Sequence, residues 1–192
     1  MKPNTIFLFV IVVLISSCSS KGHLKFNDVP IDGHLDKFAN ELTKTGFIRS
    51  DTLLKNEIIL SGKFLNKECR ISVFGTSKNN VAYKVIAELP TEVKDSLQYS
   101  FENIQKQLSS TYGGGTTRYK QYKNPERFMF NERGLKRQIM KGDCSRYNNG
   151  SGIVLMEVQD GFISITYLDK LNNEIRKREK AKEDKKESNQ GI

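Results

Sequence analysis

Val81, Tyr83, Val85, Ala87 and Leu89 recur at every second position, with Lys84 and Glu88 between them. A strand sends successive side chains to opposite faces, so this run fits a strand with one buried face and one wet face. Cys69 to Phe74 alternates in the same way, with Cys69, Ile71 and Val73 on one side and Arg70, Ser72 and Phe74 on the other. Ile153–Val158 and Phe162–Leu168 are two further strands joined by Gln159-Asp160-Gly161, and an Asp-Gly pair suits a tight hairpin turn. One-sided antiparallel strands need an apolar layer over them, which a helix stripe can supply.

Two such stripes are present. Leu35, Phe38, Ala39 and Leu42 fall at i, i+3, i+4 and i+7, after an Ile31-Asp32-Gly33 turn and before Gly46, a C′ residue. Val93, Leu97, Phe101, Ile104 and Leu108 keep helical spacing from Thr91, an N-cap, to the stop at Tyr112-Gly113-Gly114-Gly115. Leu24–Pro30 reads as extended and Glu57–Phe64 as a strand with a bulge at Ser61-Gly62. Thr116–Tyr122, Arg127–Phe130, Leu135–Met140 and Cys144–Tyr147 complete the strands, and Leu171–Lys186 is a charge-rich helix expected to fray. The expected class is α+β. Two helix-plus-antiparallel-meander units, residues 24–90 and 91–168, would form a tandem pseudo-repeat, followed by a charged C-terminal helix or tail over 169–192.

The amino terminus is different in kind. Lys2 precedes ten consecutive apolar residues, Ile6–Ile15. That run is too short for a membrane-spanning helix, which needs about 20 residues, but matches a signal-peptide core. Ile15-Ser16-Ser17-Cys18 resembles the lipobox of bacterial lipoproteins. The resemblance implies that residues 1–17 are a signal peptide, that cleavage falls before Cys18, and that Cys18 receives a diacylglycerol. Residues 18–23 would then be a lipidated tether. Two acyl chains hold a protein stably at a membrane where one does not. An aspartate after the cysteine is the familiar inner-membrane retention signal, and Ser19 in that place resembles the class sent to the outer membrane. The expected location is the cell envelope, on the outer membrane and facing the periplasm. The competing reading is an ordinary secretory signal with an incidental cysteine.

A formal charge of +9 makes the chain basic. In an envelope, the anionic surfaces within reach are lipid headgroups, acidic glycans and acidic proteins, whereas nucleic acid is not a partner for an exported chain. The charge concentrates in Thr116–Arg146, where Arg118, Lys120, Lys123, Arg127, Arg133, Lys136 and Arg137 interleave with Tyr119, Tyr122, Phe128 and Phe130. Such a stretch can grip an anionic partner. It equally describes strands with a basic wet face and an aromatic buried one. With Cys18 consumed by lipid, Cys69 and Cys144 remain, and an oxidising envelope permits a bridge between them. A disulfide and two separate thiols both stay open at this point.

Phe26-Asn27-Asp28-Val29-Pro30-Ile31-Asp32-Gly33, running to Phe38, Leu42 and Gly46-Phe47, resembles a group of uncharacterised small secreted proteins and lipoproteins of Gram-negative gut bacteria. Those chains place serine or threonine where His34 stands here, so the helix cap is weaker. The element order is also similar to the tandem helix-plus-sheet fold of the β-lactamase-inhibitor proteins and to small outer-membrane lipoproteins of the SmpA/OmlA type. Both likenesses imply a fold and no activity.

Catalytic patterns are thin. Ser61-Gly62-Lys63 is similar to the end of a phosphate loop but lacks its first glycine, and Gly113–Gly115 follows a helix instead of opening one. His23 and His34 share no metal-ligand spacing with Cys69 or Cys144. No metal, cofactor or catalytic residue is therefore assigned. The expectation is a membrane-anchored, non-enzymatic binding or assembly module for an anionic envelope component or a protein. The alternatives are an inhibitor or sensor docking on an enzyme, and an unrecognised hydrolase.

Overall fold

The computed structural model describes residues 22–52, 54–91, 94–118, 128–131, 134–137 and 141–190. Cys18 and the leader lie outside the described residues, as do Lys120, Lys123, Arg127 and Arg133.

The chain opens with a hairpin, β1 (Lys25–Phe26) and β2 (Val29–Pro30), followed by α1 (Leu35–Lys44). Then come β3 (Ile48–Arg49), β4 (Glu57–Phe64), β5 (Lys67–Gly75) and β6 (Ala82–Pro90). The second half runs α2 (Lys94–Tyr112), β7 (Thr116–Arg118), β8 (Phe128–Asn131), β9 (Gly134–Arg137), β10 (Cys144–Asn149), β11 (Gly152–Val158) and β12 (Phe162–Asp169). The helix α3 (Lys170–Gln190) closes it. The class is α+β.

The two meanders form one sheet, not two. Its order is β3-β4-β5-β6-β12-β11-β10-β7, and the antiparallel β6–β12 pair joins the halves at the centre. Strand order runs inward from both edges, while β8 and β9 stand apart as their own hairpin. The order alone does not make the halves copies of one another. α1 lies on β4 and β5, and α2 on β10.

Register explains the layering. Ile58, Val73, Val85, Tyr167, Val154 and Tyr147 line up across six strands, and all six are buried. Burying each such side chain is worth roughly 1.5–3 kcal/mol. Leu35, Phe38, Ala39 and Leu42 of α1 and Phe101, Ile104 and Leu108 of α2 join them in the core. On the other face, one row contains Ile59, Ser72, Ile86, Thr166 and Leu155, half-buried apart from the buried Ser72, and ends at the exposed Arg146. The sheet therefore has one covered face and one open face.

Three local expectations change, while the weak cap expected at His34 is present. Leu24–Pro30 is not a plain extended segment: Asn27 and Asp28 hold φ of 47° and 63° and fold it into a two-residue hairpin of the type that matches strand twist. Ser61-Gly62 is no bulge, because Gly62 pairs in register with Cys69, and the irregularity falls at Phe74/Gly75. A Cβ on Gly62 would sit 2.8 Å from Phe47 Cδ1, so that glycine admits Phe47 to the core. His34 does cap α1, its Nδ1 accepting from Asp36 N–H at 3.4 Å.

The third change concerns α3, which docks by polar contacts and does not fray from its start. Asp169 caps it by accepting from Asn172 N–H at 2.9 Å, and Asn172 Nδ2 donates to the carbonyls of Ile31 and Ala82 at 3.0 and 2.8 Å. Glu179, buried, accepts from Thr76 Oγ1 at 3.1 Å and Lys78 N–H at 2.9 Å. Residues 180–188 beyond are exposed.

The candidate site is an aromatic-floored cleft

A cleft of about 660 Å³ opens where five chain segments meet. Its walls are the segment Gly22–Lys25, the β1–β2 turn, the β4–β5 turn and the last turns of α2, with Asn149 and Ser151 at the β10–β11 turn. This volume lies within the usual range for small-molecule pockets.

Each wall has a local cause. Asn27-Asp28 forms the first turn. Leu65 and Asn66 form the second with φ of 51° and 61°, a conformation that is uncommon for leucine. Gly113, at φ 80°, ends α2 and turns the chain away, leaving the helix's carbonyl end beside the cleft. The Gly22–Lys25 wall is held by Asp169, which accepts from Leu24 N–H at 2.7 Å and lies 3.2 Å from His23 Nδ1. His23 Nε2 is 3.4 Å from Asp32.

Phe64, Tyr112 and Tyr167 form an aromatic floor, and the fully buried Phe26 packs against it without lining the cleft. Phe26 lies 4.8 Å from Phe64 and 5.1 Å from Tyr167, and Tyr112 meets Tyr167 edge-on at 6.1 Å. Such pairs add about 0.5–1.5 kcal/mol beyond area burial. Tyr167 O–H bonds Tyr112, and Tyr112 O–H donates to the Lys25 carbonyl at 3.4 Å. Burial pushes the Tyr167 phenol well above its ordinary range, and the neighbouring Tyr112 pushes it further. Burial raises Tyr112 as well, although the hydrogen bond from Tyr167 offsets part of this. Both rings are therefore neutral hydrogen-bonding groups at physiological pH.

Of the residues singled out in the sequence, His23 lines the cleft, whereas Cys69, Cys144 and Arg118 do not. Cys69 and Cys144 are free thiols, which corrects the possible disulfide. They stand on β5 and β10, four strand spacings or roughly 19 Å apart, far beyond bonding reach. They also point to opposite faces, since Cys69 aligns with the row of Ile71 and Cys144 pairs with Glu157 on the open side. Burial and Glu68 raise the Cys69 thiol to about 11, which leaves it unreactive. Arg118 is exposed at the end of β7, the edge strand. Lys136 and Arg137 lie on β9, in register with Met129 and Phe128. Lys120, Lys123, Arg127 and Arg133, like Cys18, are outside the described residues.

Sequence reasoning missed the cleft. Asn27-Asp28 is a turn signal, but nothing in the order of residues brings Tyr112 to Tyr167. Among the described residues, no group of three or more His, Cys, Asp and Glu side chains could hold a metal ion. Among the same residues, no helix is long and apolar enough to cross a membrane. Comparison with protein-family models, with curated proteins and with solved structures finds no match to this chain.

Proposed function

We propose that this chain is a lipid-anchored protein of the bacterial envelope that works as a non-enzymatic binding or assembly module. The observation that carries the reading is the position of the cleft. Gly22 lines it, only four residues after Cys18. Extended chain covers at most about 3.6 Å per residue, so a lipid on Cys18 holds the cleft mouth within roughly 14 Å of the anchor point. The apolar run Ile6–Ile15 and the lipobox-like Ile15-Ser16-Ser17-Cys18 support the anchor, and Ser19 supports an outer-membrane destination facing the periplasm. The half-buried row on the open sheet face supports a second role, contact with a protein partner. Arg118 on the edge strand, and the basic composition of the sequence that follows it, support contact with an anionic component.

Two measurements test the proposal. Labelled palmitate should enter the wild-type protein and not Cys18→Ala, and an unlabelled wild type refutes the anchor. Pull-down of the lipidated protein from envelope extracts should recover a partner that is lost on changing Arg118, Lys120 and Lys123 to Glu. Recovery unaffected by those changes and by added salt removes the basic edge from the reading.

A further inference from the structure

We infer that the aromatic-floored cleft is a binding site for an uncharged saccharide. The inference rests on the reading of the chain as a binding module and gives that module a ligand class.

Charge is the first argument. The cleft is bounded by the carbonyl end of α2, and the last turn of α2 contains no Lys or Arg. A helix C-terminus has a partial negative charge, so it repels anions and attracts hydroxyl donors. Among the described residues of the lining, Lys25 and Asp28 are the fully charged ones, and they offset one another across one hairpin. Among the described residues no net charge is left to select an ion.

Hydrogen-bonding capacity is the second. Gln107, Ser110 and Thr111 from α2 face Asn27 on one turn and Asn149 and Ser151 on another. Ser110 and Thr111 donate inward to the Gln107 carbonyl at 2.7 and 3.2 Å, which leaves their oxygen lone pairs to accept. Asn149 Oδ1 is occupied by Ser151 and Gly152 N–H, which leaves its Nδ2 to donate. A ligand that both donates and accepts at many neutral positions matches this rim, whereas a bare acyl chain would strand it unsatisfied.

Shape and stiffness are the third. Tyr112 is half-buried, one edge on Tyr167 and part of its surface on the cleft. A sugar ring has one face of C–H groups that packs on such a surface and an edge of hydroxyls that meets the rim. The wall segment 22–25 is pinned to the buried Asp169, so the site is largely formed in advance.

The test uses full-length protein in phosphatidylcholine nanodiscs, which carry no sugar. Maltotetraose, cellotetraose, mannotetraose and N-acetylchitotetraose are titrated in turn while backbone amide shifts are followed. A parallel arm uses nanodiscs containing a galactosyl diacylglycerol, so that a membrane glycolipid is distinguished from a free glycan. At least one probe should bind at millimolar concentration or better, with shifts confined to residues 22–28, 64–66, 107–112 and 149–151. Tyr112→Ala should weaken binding by about tenfold and Gln107→Ala by about threefold, whereas Tyr112→Phe, which keeps the ring, should retain most of it. Gln107 is exposed on a helix, so its alanine variant folds normally and keeps the test decisive. The inference is overturned if no probe binds in either arm, if shifts map outside the cleft, or if a cationic peptide or heparin fragment binds the cleft instead. A negative titration with normal palmitate labelling removes the saccharide and leaves the anchored module standing.

Discussion

Leu24 N–H donates to the buried carboxylate of Asp169 at 2.7 Å, across 145 residues of sequence. The same carboxylate caps α3 through Asn172 N–H and lies against His23. One side chain thus joins the start of the folded chain to its last helix. Asp169→Ala leaves Leu24 and Asn172 without their acceptor, and should lower unfolding stability by about 2–4 kcal/mol in a urea titration. An unchanged midpoint would show that water replaces the carboxylate.

Glu179 should govern the far half of α3. It is buried and receives Thr76 Oγ1 and Lys78 N–H, and exposed residues follow it. Glu179→Ala should remove hydrogen-exchange protection from residues 176–190 while leaving β11 and β12 protected. Equal protection in the variant would mean that the helix is held by something other than this carboxylate.

Gly62→Ala should destabilise the fold by about 1–3 kcal/mol. The new Cβ would meet Phe47 Cδ1 at 2.8 Å and Phe47 Cα at 3.2 Å, and backbone cannot yield as a flexible side chain does. Thermal or urea unfolding measures it, and a neutral result would show that the β3 edge moves freely.

The two thiols make a chemical prediction. Reduction should not change the protein's mass, and alkylation at pH 8 should mark Cys144 well before Cys69, whose thiol sits at about 11. Burial raises the Cys69 value from 9.0, so the folded state holds that proton more tightly than the unfolded one. The resulting stability is complete below pH 9 and is lost as pH rises through 11. Mass spectrometry after timed alkylation checks the order of labelling.

Much of the fold was legible from periodicity. Val85, Ala87 and Leu89, the apolar stripe of α1 and the Asp160-Gly161 turn all predict elements that the structure contains. These signals are local, because side-chain direction repeats every two or 3.6 residues. α3 lacked such a signal, since its docking depends on Asn172 and Glu179 and not on an apolar stripe. Nothing in the residue pattern at Phe74-Gly75 marks the register shift that falls there.

From the order of residues alone come the class α+β, the one-sided strands and the two helices that cover them. Pairing partners are a different matter. Cys69 and Cys144 both read as strand residues, yet their distance depends on β6 meeting β12 and on which face each residue turns to. The cleft is likewise made by turns at residues 27–28, 65–66 and 149–151 converging on the end of α2. Tyr112 and Tyr167 are 55 residues apart in the chain and touch because the half-buried Tyr112 packs against the core that buries Tyr167. Burial of apolar surface is non-directional, so residue order states which faces hide, and packing the whole sheet selects what they hide against.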